Sequence, residues 1–371
     1  MKRIVVYVLS IVIMMGCSEG LDVPNVNDGE EITNENNKIY YTTSNNEKIF
    51  PYTTEPKIFG AVIISNEYKD GQGVMTFDDD VKSIGEKAFY ECTTLESMII
   101  PQSVISAADD AFEGCESLLA ENNIRYAGSY LVNVADNSLH SYEIKSNTKF
   151  IGRYAFRNCK NLASIDIADE IVLIGNYAFE GCSSLKAVNI ENLSAWCNIK
   201  WGFNITSNPL SCAGNLYLNG ELVQNLEIPS DVKFFDIAFI CCASLKNVKM
   251  HDGITEIGSD AFAYCQNLEN VTLSNNLVKI GPAAFASCGK LQTITIPSKV
   301  NYIGRQAFYG CSELKTVFLN NATPPELYEL AFDKCPSLEK IYVPISSVEA
   351  YKTGKYSWKK YADKIEGYDF K

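Results

Sequence analysis

Ala-Phe-x-x-Cys-x-x-Leu recurs nine times in this chain, with its Ala at 88, 111, 155, 178, 238, 261, 284, 307 and 331. Five of the eight intervals are 23 residues and one is 24, while the other two, 44 and 60, approximate two and three periods. A period of this length marks a chain built from stacked supersecondary units. The fullest unit runs from Ile280-Gly281 through Ala284-Phe285, Cys288 and Leu291 to Ile294-Thr295-Ile296-Pro297. In its Leu-x-x-Leu-x-Leu spacing the last two apolar residues point to one side of an extended strand and their neighbours to the other. Gly281 suits the turn that follows, and Phe285 sends one ring into each coil. One coil offers about six apolar side chains worth roughly 1.5–3 kcal/mol each. Against this stands about 1–2 kcal/mol of backbone entropy for each residue, so stability must come from neighbouring coils.

The strand register pairs inward residues eleven times, from Met75/Phe77 and Met98/Ile100 through Tyr142/Ile144, Val188/Ile190 and Leu226/Ile228 to Ile341/Val343. The expected fold is an α/β right-handed solenoid with a parallel, concave sheet of about eleven strands spaced about 4.8 Å apart. Residues 119–138 and 191–222 interrupt the rhythm as insertions. In the second, Asn219-Gly220 marks a type I′ hairpin. Residues 345–371 read as a helical cap, and the solenoid as residues 38–371.

Lys2-Arg3, a twelve-residue apolar run from Ile4 to Met15, and Gly16-Cys17 read as a signal peptide over residues 1–16. A membrane-spanning helix needs about 20 apolar residues. Met14-Met15-Gly16-Cys17 resembles the bacterial lipobox, which makes Cys17 the expected lipidation site. Ser18 in place of Asp resembles an outer-membrane destination. Residues 17–37 are too polar to bury a core and read as a tether. Without residues 1–16 the formal charge is 30 basic minus 45 acidic residues, or −15. Nucleic acid is disfavoured, because phosphate binding is driven by Lys and Arg replacing counterions.

Nine of the thirteen cysteines occupy one repeat position and should form a row of buried, reduced thiols. Rungs at strand spacing are slightly wide for disulfides, and a line cannot supply tetrahedral zinc geometry. Cys197, Cys212 and Cys241 fall outside that row, and a Cys197–Cys212 bridge is an alternative for two of them. His140 and His251 lie about five coils apart with no nucleophile motif beside either, so the sequence argues against an enzyme. No cofactor or metal is implied; Asp78-Asp79-Asp80 lacks the alternating spacing of a calcium loop.

The pattern Ile-Gly-x-x-Ala-Phe-x-x-Cys-x-x-Leu-x-x-Val-x-Ile-Pro, at Ile280 to Pro297 and Ile84 to Pro101, resembles the BspA-like class of leucine-rich repeats. The resemblance covers about residues 38–371 and implies a cell-surface protein, in some members an adhesin for host matrix proteins. The expected function is binding or adhesion through the repeat sheet, with a protein (host matrix or bacterial surface) or a glycan as ligand. A structural role in the bacterial envelope is the alternative, and contact with the membrane is through the lipid alone. Most outward positions of the sheet are short and polar, among them Thr272 and Thr295. Phe318 and Tyr342 break that pattern and are the first candidates for ligand contact, unless the cap with Tyr351 and Trp358 folds over them. Trp196 and Trp201 in the second insertion come next, unless they cover the insertion's own small core.

Overall fold

The computed structural model describes residues 35–52, 58–354 and 356–370, and the expected signal peptide, Cys17 and most of the expected tether lie outside them. From Glu35 on, the chain forms one compact unit. Each coil carries a strand on the main sheet and a two-residue strand on a second face, joined by an arc that holds the Ala-Phe-x-x-Cys motif. The strand Thr293–Ile296 pairs in parallel with Thr316–Leu319, Ile294 opposite Val317 and Thr295 opposite Phe318. On the second face Lys279-Ile280 pairs with Tyr302-Ile303. Alternation decides the faces: Ile294 and Ile296 are buried, Thr293 and Thr295 exposed. Among the described residues α-helix is confined to the short segments Leu193–Cys197, Leu210–Ala213 and Val348–Thr353, with 3-10 turns at Ile205–Ser207, Ile345–Ser347 and Tyr356–Tyr361.

The arcs stack on one another through their aromatic rings. Phe239, Phe262, Phe285, Phe308 and Phe332 form a ladder of near-parallel rings 5.2–5.5 Å apart. Adjoining arcs are also joined by backbone hydrogen bonds, Phe285 N–H donating to Ala307 C=O at 2.8 Å and Ser287 N–H to Tyr309 C=O at 2.7 Å. To aim those amides the arc adopts left-handed backbone at the residue before Cys in all nine arcs. The residue before Ala is left-handed too, from Lys87 to Leu330, except Asp110. Such a conformation costs an ordinary residue about 1–2 kcal/mol, which the inter-coil bonds and shared burial offset. Gly281 answers a different need from the turn expected for it. A Cβ there would lie 2.7 Å from the backbone of Gly258 and from Ile257 O, so only glycine lets adjacent coils approach.

The thiol row is bonded as well as buried. The Sγ of Cys115, Cys182, Cys265 and Cys311 each donates to the carbonyl of the preceding coil's Phe at 3.0–3.1 Å. All twelve described cysteines are free thiols, Cys197 and Cys212 included. Burial pushes Cys92 up to about 11 and Cys115 up to about 12.

The main sheet departs from the expected even row in three places. At the start, Lys38–Thr43 lies antiparallel between Gln72–Phe77 and Leu95–Ile99, so the first two inward pairs are not neighbours. Tyr142 and Ile144 belong to no strand, although Tyr142 is buried. The segment 191–222 is a coil that has lost its Ala-Phe. Lys200-Trp201 pairs with Leu173-Ile174 on the second face, and Leu216–Leu218 joins the main sheet beside Ala187–Ile190. Cys212 bonds Phe179 O at 3.4 Å and so adds a rung to the thiol row. The hairpin at Asn219-Gly220 forms with φ of 51° and 82°. In the first insertion, Ile124–Ala127 and Tyr130–Val134 form an antiparallel hairpin, and Tyr130-Leu131 pairs in parallel with Phe150-Ile151.

At the far end Tyr351 and Trp358 are fully buried, with Trp358 Nε1 donating to Pro325 O at 2.7 Å. After them the chain returns as one more strand, Ile365–Tyr368, parallel to Lys340–Pro344.

Candidate functional site

The outward face of the main sheet changes character along its length. Around its middle the row Glu227, Lys249, Thr272 is in register, and Lys249 Nζ lies 3.1 Å from Glu227. Beside it the amides of Asn225, Asn247 and Asn270 chain together at 2.6 and 2.7 Å. Further on, Thr295, Phe318, Tyr342 and Glu366 occupy one row, and Lys340 pairs with Glu366 at its edge. Period-two geometry puts these side chains on the face opposite the core.

Phe318 and Tyr342 stack with ring centroids 5.1 Å apart and an interplanar angle of 23°. Tyr368 lies 5.3 Å from both, and Phe370 is 4.9 Å from Tyr368. Four rings therefore make one platform at this end of the face. Phe318 and Tyr342 are half-buried and Tyr368 is 43% exposed. Tyr351 and Trp358 do not fold over this pair; they pack on each other, with Trp358 against Phe332, at the end of the core. Tyr368 and Phe370 were not legible as site residues because the repeat motif ends at Val343. The signal that could have found them is the renewed alternation Ile365-Glu366-Gly367-Tyr368.

The second-insertion candidates separate. Trp196 is 1% exposed and donates its Nε1 to Ala238 O at 2.8 Å. Trp201, in register with Ile174, is half-buried and meets Trp196 edge-on at 5.0 Å. Trp196 packs against the coil and is out of a macromolecule's reach, while Trp201 stays half-exposed. Phe203 beside them is 99% exposed.

Titratable groups hold structural positions. His251 bonds Val232 O through Nε2 at 3.0 Å and accepts Gly253 N–H on Nδ1, which fixes its tautomer. Asp78 accepts Val62 N–H and Asp80 pairs with Lys82. Among the described residues no group of three or more His, Cys, Asp or Glu is placed to hold a metal ion.

Fold and face together define a repeat solenoid whose stacked coils share one outward sheet face. The model of the BspA type leucine rich repeat region matches in six copies across residues 73–186, 134–236 and 232–360, and the chain belongs to that family. Among solved structures it is similar to a leucine rich cell surface protein from Faecalibacterium prausnitzii, at 20% identity and a TM-score of 0.38 over 78% of this chain and 81% of that one. It is also similar to a leucine-rich repeat protein from Bacteroides ovatus, at 23% identity and a TM-score of 0.34 over 87% of this chain and 98% of that one. No curated protein matches.

Proposed function

We propose that this chain is a binding module displayed at the cell surface, held there by a lipid on Cys17, which engages a protein or glycan ligand through the outward face of its repeat sheet. Membership of the BspA-type family supports a surface protein with a binding role. The observation that carries the reading is the four-ring platform of Phe318, Tyr342, Tyr368 and Phe370 at one end of the outward face, beyond the Thr, Asn and paired ions of its middle. Aromatic side chains bury large area with few rotors to freeze, and binding hot spots are enriched in them. Thr295 and Thr272 extend the contact row away from the platform.

The test is binding of the purified protein to immobilised host matrix proteins and to a glycan array, with Phe318→Ala/Tyr342→Ala as the variant. A hot spot worth at least about 2 kcal/mol predicts a loss of about 30-fold or more in affinity. Tyr368→Ala, at a more exposed ring, should weaken binding with less effect on the melting temperature. Unchanged affinity in both variants would remove the platform as the binding face.

A further inference from the structure

A second surface runs along the arc side of the last coils, away from the main sheet. The two residues before each arc alanine form two rows there: Asp236-Ile237, Ser259-Asp260, Pro282-Ala283, Arg305-Gln306 and Glu329-Leu330, every one exposed or half-buried. In the coil before these, Thr206 stands where an arc alanine would, since its carbonyl accepts the Phe179 N–H just as Ala178 accepts that of Phe156. Ahead of Thr206, Phe203 is 99% exposed and Ile205 42% exposed. The phenyl ring therefore packs on nothing in its own chain, yet its loop is pinned. Asn204 Oδ1 accepts from the Thr206 N–H and hydroxyl, and the Asn204 N–H donates to Asn176 Oδ1 at 3.2 Å. At the other end of the rows Tyr328 is 44% exposed beside the half-buried Leu330. Apolar area held out rigidly in this way marks an interaction surface.

The charges between those ends have no partners within the chain. In the earlier coils the same row is paired across coils, with Asp109 accepting from Arg153 and from Asn176. Asp236 and Arg305 occupy the row three coil steps of 5.3–5.5 Å apart, too far to meet. Neither they nor Asp260 take part in an ion pair among the described residues. Burial pushes the Asp236 and Asp260 carboxyls up, and the charge of Asp236 adds to the rise at Asp260. Asp236 and Arg305 are also placed evenly about a centre: one coil step outside Ser259 on one side, one outside Pro282 on the other, with the exposed apolar groups one step further at each end.

We propose that this arc face is the contact between two copies of the chain, related by a two-fold axis passing between the Ser259 and Pro282 coils. Such an axis reverses the coil order and sets each row against itself. Asp236 then meets the partner's Arg305, with Asp260 one coil step away, and the same pair forms a second time across the axis. Phe203 and Ile205 pack on the partner's Tyr328 and Leu330, and the Asn204 amide meets the partner's Glu329. An isologous interface must be complementary to itself. Opposite charges at equal distances from one centre satisfy that requirement, whereas a foreign partner would need no such symmetry. The main sheet is left free, so this contact and ligand binding at the aromatic platform can fail independently.

The test is sedimentation equilibrium of the purified protein in density-matched detergent, from about 1 to about 200 µM, a range that brackets a micromolar Kd. Wild type should pass from monomer to dimer. Asp236→Arg and Arg305→Asp, each of which sets like charges against each other twice, should weaken self-association about tenfold or more on their own. Mixed in equal amounts, the two variants should associate again about as tightly as wild type, because each supplies the charge the other lacks. That recovery also shows that both are folded. Phe203→Ala should weaken the dimer about tenfold or more with the melting temperature unchanged, since the ring has no contact to lose in the monomer. A monomer at every concentration would overturn the proposal. So would single charge variants that dimerise as tightly as wild type, or that fail to recover on mixing.

Discussion

Replacing Gly281 with Ala tests the physical basis of the stack more sharply than any core truncation. A Cβ there would sit 2.7 Å from the carbonyl carbon and oxygen of Gly258 and from Ile257 O. Ordinary contact begins at 3.4 Å, so the coils must separate locally by about 0.7 Å (3.4 − 2.7). The obstacle is backbone, and no rotamer change relieves it. Moving the coils that far stretches the Gly281 N–H to Ile257 O bond from 2.8 Å to a length at which little of it survives. Overpacking costs about 1–3 kcal/mol and one lost hydrogen bond adds about 1 kcal/mol, so the expected loss is about 3 kcal/mol. With a urea dependence of about 3 kcal/mol per M for a chain of this size, the midpoint should fall by about 1 M. Gly289→Ala is the control, because its nearest neighbour is 3.5 Å away and its backbone is not left-handed; it should stay within about 0.5 kcal/mol of wild type. Gly310→Ala, at φ +72° with Ser287 Oγ 3.2 Å away, should fall between them at about 1–2 kcal/mol. The assay is urea unfolding followed by circular dichroism and tryptophan fluorescence. Equal midpoints for Gly281→Ala and Gly289→Ala would refute the claim that close coil approach, and not turn conformation, requires glycine at position 281.

The thiol row makes two further expectations. Denatured protein should release twelve reactive thiols, or thirteen if Cys17 is unmodified; a count near zero would mean the row is oxidised. Because burial raises Cys92 to about 11 and Cys115 to about 12, the folded state keeps protons that the unfolded chain sheds near about pH 8.5. The thiol contribution is therefore complete below that pH and lost as pH rises toward 11–12, so melting temperature should drop across this window, and a flat profile from pH 7 to 11 would contradict it. Cys17→Ser should release the protein from the membrane fraction or leave it unprocessed, as cell fractionation would show; unchanged processing and retention would mean the lipid is not the anchor.

The period and the two faces of each strand were legible in the sequence because both are local: side chains alternate along a strand whatever it pairs with, and nine copies of one motif average out individual substitutions. Phe318 and Tyr342 could be placed on the outward face for the same reason. Long-range pairing decided the rest. Nothing in Lys38–Thr43 announces that it will lie antiparallel between two other strands, and residues 191–222 looked like an insertion because that coil keeps the backbone path while losing Ala-Phe. Tyr368 and Phe370 became neighbours of Phe318 only because the chain returns past the buried Trp358 to add a strand after the motif has ended. Trp196 was ambiguous until its indole met Ala238 O. The left-handed arcs depended most on tertiary structure, since their backbone conformation has no signature in Ala-Phe-x-x-Cys: it is held by hydrogen bonds between arcs, and contact between coils is what the third dimension adds.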